Sequence, residues 1–175
     1  MADADTERLF EAMEQHFFGK YRGTVVDNND PLGSNRIEVR IPGVSGQETK
    51  WALPCVPYAA ADLGLHAIPP VGASVWVEFE AGELDHPIWV GCFWDEGEAV
   101  PGDSPEVVVL KTPGATITIE DSGTVEIETT GGSKLSITGS EISLEAPSIK
   151  QDANGGTTEV SAAGFDAQNG AFTVI

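Results

Sequence analysis

The stretch "ATITIEDSGTVEIETTGGSKLSITGSEISLEA", Ala115 to Ala146, alternates apolar and polar residues in short bursts. Alternation with period two sends one set of side chains to one face of a strand and the other set to the opposite face. The apolar set comes in pairs two residues apart: Ile117 and Ile119, Val125 and Ile127, Leu135 and Ile137, Ile142 and Leu144. Turn signals separate the pairs ("EDSG", "TTGGS", "TGS", "EAPS"), giving a quasi-repeat of about eight to ten residues. No covering layer follows. From Val107 onward there is no Trp or Tyr, and the first Phe is Phe165. A single-chain hairpin stack therefore leaves its apolar face wet and its edges open. Three intertwined chains, each forming part of a prism, bury every inward aliphatic. The pattern predicts a trimeric β-helical needle over 107–150 with those eight aliphatics as its core. A two-sheet sandwich and a low-complexity tail are the alternatives. The tail fits less well, because disorder does not require regular alternation.

The chain ahead of this region has a different texture. Residues 3–18 read as a helix, with Phe10, Met13 and Phe17 at helical spacing, Leu9 flanking, and Asp3 or Asp5 as cap. Gly19 ends it. Between Lys20 and Asp95 the pattern is strand and turn. "RIEVRIP" points Ile37, Val39 and Ile41 to one side, and "ASVWVEF" does the same with Val75, Val77 and Phe79. "HPIWVGCFW" is apolar on both faces, as a doubly buried strand would be. Five strands, with a longer connection between the third and fourth that has room for a short helical turn, predict a small OB-type barrel. "DEGEAVPGDSPE" reads as a linker. The expected organisation is an all-β protein: helix 1–19, OB-fold barrel 20–96, linker 97–106, needle 107–150, and apex or tip platform 151–175.

Charge and composition narrow the function. With 28 acidic residues against nine Lys and Arg, the formal net charge is −19, which repels phosphate backbones and anionic lipid. Trp51, Trp76 and Trp89 suit base stacking, but such folds need a basic groove; no nucleic-acid partner is expected. Cys55 and Cys92 sit in apolar runs and read as buried free thiols. No apolar run of about 20 residues spans a bilayer. "MADADTERLF" lacks the apolar core of a signal peptide, so synthesis in the cytoplasm is expected. Glu83, Asp85 and His86 fall in "AGELDHP", where acids suit a turn better than catalysis. Without a nucleophile–base arrangement, a phosphate loop or metal-ligand spacing, no enzyme activity, cofactor or metal is expected.

Several segments together resemble a known family. "YRGTVVDNNDPLGSNRIEVRIPGV" (Tyr21 to Val44), "WALPCVPYAA" (Trp51 to Ala60), "PPVGASVWVEFEAGELDHPIWVG" (Pro69 to Gly91) and "CFWDEG" resemble, in order and spacing, the OB domain of phage baseplate assembly protein V. The same domain occurs in VgrG-type spikes of type VI secretion and in extracellular contractile injection systems. The resemblance implies a homotrimeric central spike at the baseplate of a virion or phage-tail-like particle. It implies a hub protein as partner, a needle that pierces the target cell envelope, and a separate PAAR-like tip protein on a platform at Phe172, Val174 and Ile175. The departures also inform. About ten residues between Asp95 and Val107 leave no room for the lysozyme domain of some phage spikes. The hub domains of large VgrG chains do not precede the barrel. His16, His66 and His86 lie outside the needle, unlike the His-rich metal-bearing points of some members. A free-standing carbohydrate-binding or adhesive β-module is the alternative function.

Overall fold

A computed structural model describes residues 16–100, 102, 104–167 and 171–174. The chain divides into two compact units, with the division between Ala99 and Val100.

The first unit is built from β1 (Tyr21–Asp27), β2 (Ile37–Arg40), β3 (Thr49–Pro54), β4 (Ala59–Ala60), β5 (Leu63–Gly64), β6 (Ser74–Phe79) and β7 (Pro87–Cys92). Five of these strands close into a barrel in the order β1-β2-β3-β7-β6, with β3 and β7 parallel and the other pairs antiparallel. Closure removes the sheet edges and turns one side of every strand inward. Ile37, Val39, Ile41, Val75, Val77 and Phe79 all point inward as their alternation requires, and join Val25, Ala52 and Trp89 in the core. In β7, Pro87 and Trp89 are buried while Ile88 and Val90 are only half-buried. The strand is covered on one face, not two, because a barrel has one interior.

Three expectations are corrected. The connection after β3 holds the hairpin β4–β5, not a helical turn; Asp62 takes the left-handed conformation (φ 58°) that the tight reversal needs. Cys55 and Cys92 are exposed free thiols. Cys55 lies just past β3 and Cys92 is the last residue of β7, so each apolar run outlasts the strand that buries its neighbours. At the N-terminus, the part of the expected helix ahead of His16 lies outside the described residues, and His16 to Phe18 carry no helix. Instead they cross the barrel as a strap. The Phe17 amide donates to the Gly82 carbonyl (2.8 Å), and the Phe17 ring meets Phe79 and Tyr21 at 5.6 and 6.2 Å.

The loop between β1 and β2 is tied by one carboxylate. Asp30 accepts from the backbone amides of Leu32, Ser34 and Arg36 and from the Arg36 guanidinium at 2.6 Å. Arg36, chiefly, and the amides hold its carboxyl well below the usual carboxylate range, against an opposing desolvation effect. Such a loop is ordered without a hydrophobic core of its own.

The second unit begins with β8 (Val108–Lys111), β9 (Ala115–Ile119), β10 (Val125–Thr129), β11 (Lys134–Ile137) and β12 (Ile142–Glu145), an antiparallel meander. Gly123 and Gly132 take φ +85° and +83° where the loops close back on Glu120 and Thr129, as short hairpins demand. A second meander follows: β13 (Ser148–Ala153), β14 (Gly156–Ser161), β15 (Gly164–Ala167) and β16 (Phe172–Val174). It opens at Ser148, ahead of the point where composition placed the apex. Neither β12 nor β13 pairs with the other, and Pro147, which has no amide proton to give a ladder, lies between them.

Candidate assembly face

Register decides what the second unit presents. In the first meander, Val108, Ile119, Val125, Ile137 and Ile142 stand opposite one another in turn and form one unbroken row across five strands. Leu110, Ile117, Ile127, Leu135 and Leu144 form the neighbouring row. Directly opposed residues share a face, so all eight expected needle residues are brought together on one side. Val108 and Leu110 join them. Sequence reading missed those two because "VVVL" is continuously apolar and shows no alternation. None of the described residues of the second unit is buried. Ile142 is 71% exposed, Leu144 52% and Ile119 45%. Ten large aliphatics in two rows make a continuous apolar patch, which a soluble protein covers.

The opposite side of this sheet is polar. Val109, Thr118, Glu126, Ser136 and Ser143 make one row, and Lys111, Thr116, Glu128, Lys134 and Glu145 the other. Lys134 bridges to Glu126 at 2.6 Å, and this contact, with weaker attraction from Glu128 and Glu145, raises the lysine pKa. A face laced with ion pairs belongs in water. The two sides thus differ in chemistry, and the apolar side is the more exposed in the single subunit. Thr138 is not on either face: its hydroxyl accepts from the amides of Ser140 and Glu141 and shapes the turn.

The second meander repeats the asymmetry. Ile149, Val160, Phe165 and Val174 share one row, and Gln151, Thr158, Ala167 and Phe172 the next. Phe165 meets Phe172 edge-on at 6.2 Å, and Phe172 is 61% exposed. Of the expected tip platform, Phe172 and Val174 therefore lie on a paired strand; Ile175 lies outside the described residues.

Among its described residues the barrel offers no comparable apolar sheet. Its outer wall carries aromatic and charged groups, and the two acids of the β6–β7 loop, Glu83 and Asp85, each face a different cation. Asp85 binds Lys50 at 2.7 Å, which lowers its pKa, and Glu83 lies 3.4 Å from His16. Among the described residues, no three His, Cys, Asp or Glu are grouped to hold a metal, and no helix is long and apolar enough to cross a membrane. Residues 21–94, from β1 to two residues past β7, match the family described as the type VI secretion system/phage-baseplate injector OB domain. The barrel is similar to this family's domain. The match to the injector OB domain covers the closed barrel and stops before the linker, so it reaches neither meander. It supports a structural role at a baseplate, and a phage-tail or baseplate location, for the chain that carries it. A search of curated proteins finds no match. The strap at His16 to Phe18 lies outside the matched residues yet packs on the injector OB domain's core through Phe17.

Proposed function

We propose that the chain is the central spike of a contractile phage tail or phage-tail-like injector, acting as a homotrimer. One observation carries this reading: a barrel similar to the injector OB domain is followed by meanders whose apolar rows no described residue buries. Three copies arranged about one axis, with Ile117, Ile119, Val125, Ile127, Leu135, Ile137, Ile142 and Leu144 turned inward, give each row two identical partners. The polar rows with Lys134 and Glu126 remain outside. The sequence pattern predicts an intertwined β-helix. Because successive strands pair along one chain, we place one subunit's sheet on each side of the prism.

The work of such a spike is mechanical. Five and four strands stacked along one axis at about 4.8 Å per rung reach about 43 Å, more than the ~30 Å hydrocarbon core of a bilayer. The barrel attaches to the baseplate hub, and the needle breaches the target envelope when the sheath contracts. The apex presents Phe172 and Val174, with Ile175 following, as the seat of a small PAAR-like tip protein.

Solution mass tests the assembly. Light scattering coupled to gel filtration is expected to give three times the chain mass; a monomer at all concentrations overturns the spike reading and favours a free-standing adhesive module. Deleting residues 172–175 tests the apex. Particles that keep the trimer and lose a small tip component support the platform. A needle that frays when no tip component was ever present rejects it.

A further inference from the structure

The apolar side of the second meander is interrupted by one polar pair. Gln151 in β13 and Thr158 in β14 stand directly opposite each other, each two residues along its strand from Ile149 and Val160. Directly opposed residues share a face, as do residues two apart along a strand. The pair therefore lies on the side that carries Ile149, Val160 and Phe165. The Thr158 hydroxyl donates to the Gln151 Oε1 at 3.1 Å, which holds the amide carbonyl toward β14. Among the described residues, the amide N–H group has no acceptor within the subunit.

This side excludes charge. Lys150, Asp152, Glu159 and Asp166 all belong to the opposite side, where Lys150 faces Glu159 and Glu159 faces Asp166. With 28 acids in the chain, like charge opposes close approach of identical copies. An uncharged side is where such copies can meet. A primary amide also suits a ring of like groups, because it holds donors and acceptors in one planar unit. After accepting from Thr158, the Gln151 carbonyl keeps a lone pair that a neighbour's amide hydrogen can fill. Three copies about one axis thereby satisfy one another head to tail, each giving once and accepting once.

Apolar rows alone do not fix how three chains align. Large aliphatics recur on all five strands from β8 to β12, so a slip by one rung of about 4.8 Å keeps aliphatic against aliphatic. Among the described residues, no other amide side chain lies on that side. A slipped chain would bury its amide against a row that offers no acceptor, which is costly. We propose that Gln151, oriented by Thr158, joins Gln151 of two further copies in a closed ring of amides that sets the axial register of the trimer. A lone polar position inside an apolar interface fixes register in this way. The inference rests on the homotrimer reading and adds to it the contact that makes one alignment better than its neighbours.

Sedimentation equilibrium on full-length variants, each referred to wild type at the same pH, tests the ring. Gln151→Glu would bring three carboxylates together and is expected to weaken the trimer at least about tenfold at pH 7. The ring raises the carboxyl pKa above its value in the separate subunit, about 4.3, so the penalty is present above that value and fades as pH falls toward it. At about pH 4.5 most of the loss is expected to be recovered, since a protonated carboxyl donates and accepts as the amide does. Ser143→Glu adds the same charge to the polar side and is expected to change little at either pH. Gln151→Leu is expected to assemble at least as tightly as wild type but to spread over more than one mass, because slipped chains leave apolar rungs uncovered that recruit further copies. Three results overturn the inference and leave the trimer standing: Gln151→Glu matching Ser143→Glu at pH 7, Gln151→Glu staying apart at the lower pH, or Gln151→Leu giving a single trimeric mass. A wild-type chain that stays monomeric overturns both readings.

Discussion

Ile127 in β10 stands directly opposite Leu135 in β11, and each has a further aliphatic opposite it on its other side, Ile117 and Leu144. Four strands thereby place large aliphatics in one row with no layer above them among the described residues. The row is a product of register: a slip by one residue on any strand would put a polar side chain into it.

The row makes the side of a substitution decisive. Ile137→Asp would set a carboxylate among apolar neighbours, and in a trimer three of them near one axis, where desolvation and like charge both oppose assembly. Ser143→Asp adds the same charge to the polar face. Light scattering is expected to show loss of the trimer for the first and retention for the second. Thr138 is a poor control, because its hydroxyl organises the turn to Glu141.

Gly82 is the point where the strap crosses the barrel. It has φ +81°, and a Cβ there would stand 2.8 Å from the His16 Cβ and 3.1 Å from the Phe18 ring. Gly82→Ala therefore combines backbone strain with a clash that displaces the strap, and is expected to cost about 2–4 kcal/mol in urea unfolding. Gly72→Ala is the control. Its φ is +91° but nothing lies within 4 Å of a new Cβ, so only the strain of about 1 kcal/mol is expected.

Asp30 gives the barrel an acid-sensitive loop. Its side chain is 4% exposed, and its folded pKa lies below its ordinary value of 3.8. A depressed carboxylate stabilises the fold fully above the unfolded pKa and loses that contribution as pH falls through the folded one. The wild type is expected to lose stability progressively below about pH 4. Asp30→Asn is expected to start lower at pH 7 and to show less of that decline. Urea midpoints at pH 7, 4 and 3 check both.

The two cysteines provide a surface test of the barrel. Both are expected to react with a maleimide without denaturant, since both are exposed. Partial loss of solvation around Cys92 raises its thiol pKa, so it holds less thiolate at pH 7 than in the unfolded chain. Its labelling is expected to be slower in the folded protein than in urea and to accelerate more steeply as pH rises above 8. Protection of both thiols until unfolding would contradict the exposed positions.

The all-β class, the barrel strands and the apolar pairs were legible because each rests on local alternation. Ile37, Val39 and Ile41, or Ile117 and Ile119, declare a shared face by spacing alone, since the pleat fixes period two whatever the partner strand is. The OB family was legible as several short segments in the right order. The reading stopped where position depended on closure. Phe17 fits a helical spacing, yet the described strap packs it on Phe79, a residue that only the closed barrel brings near. Cys55 and Cys92 look buried by composition and are exposed because the strands end beside them. Asp30 and Arg36, six residues apart, pair only because the loop between β1 and β2 folds back on itself. Alternation along the chain thus determined which faces exist, whereas the tertiary structure decided what each face meets, because covering a face requires contacts between residues remote in sequence.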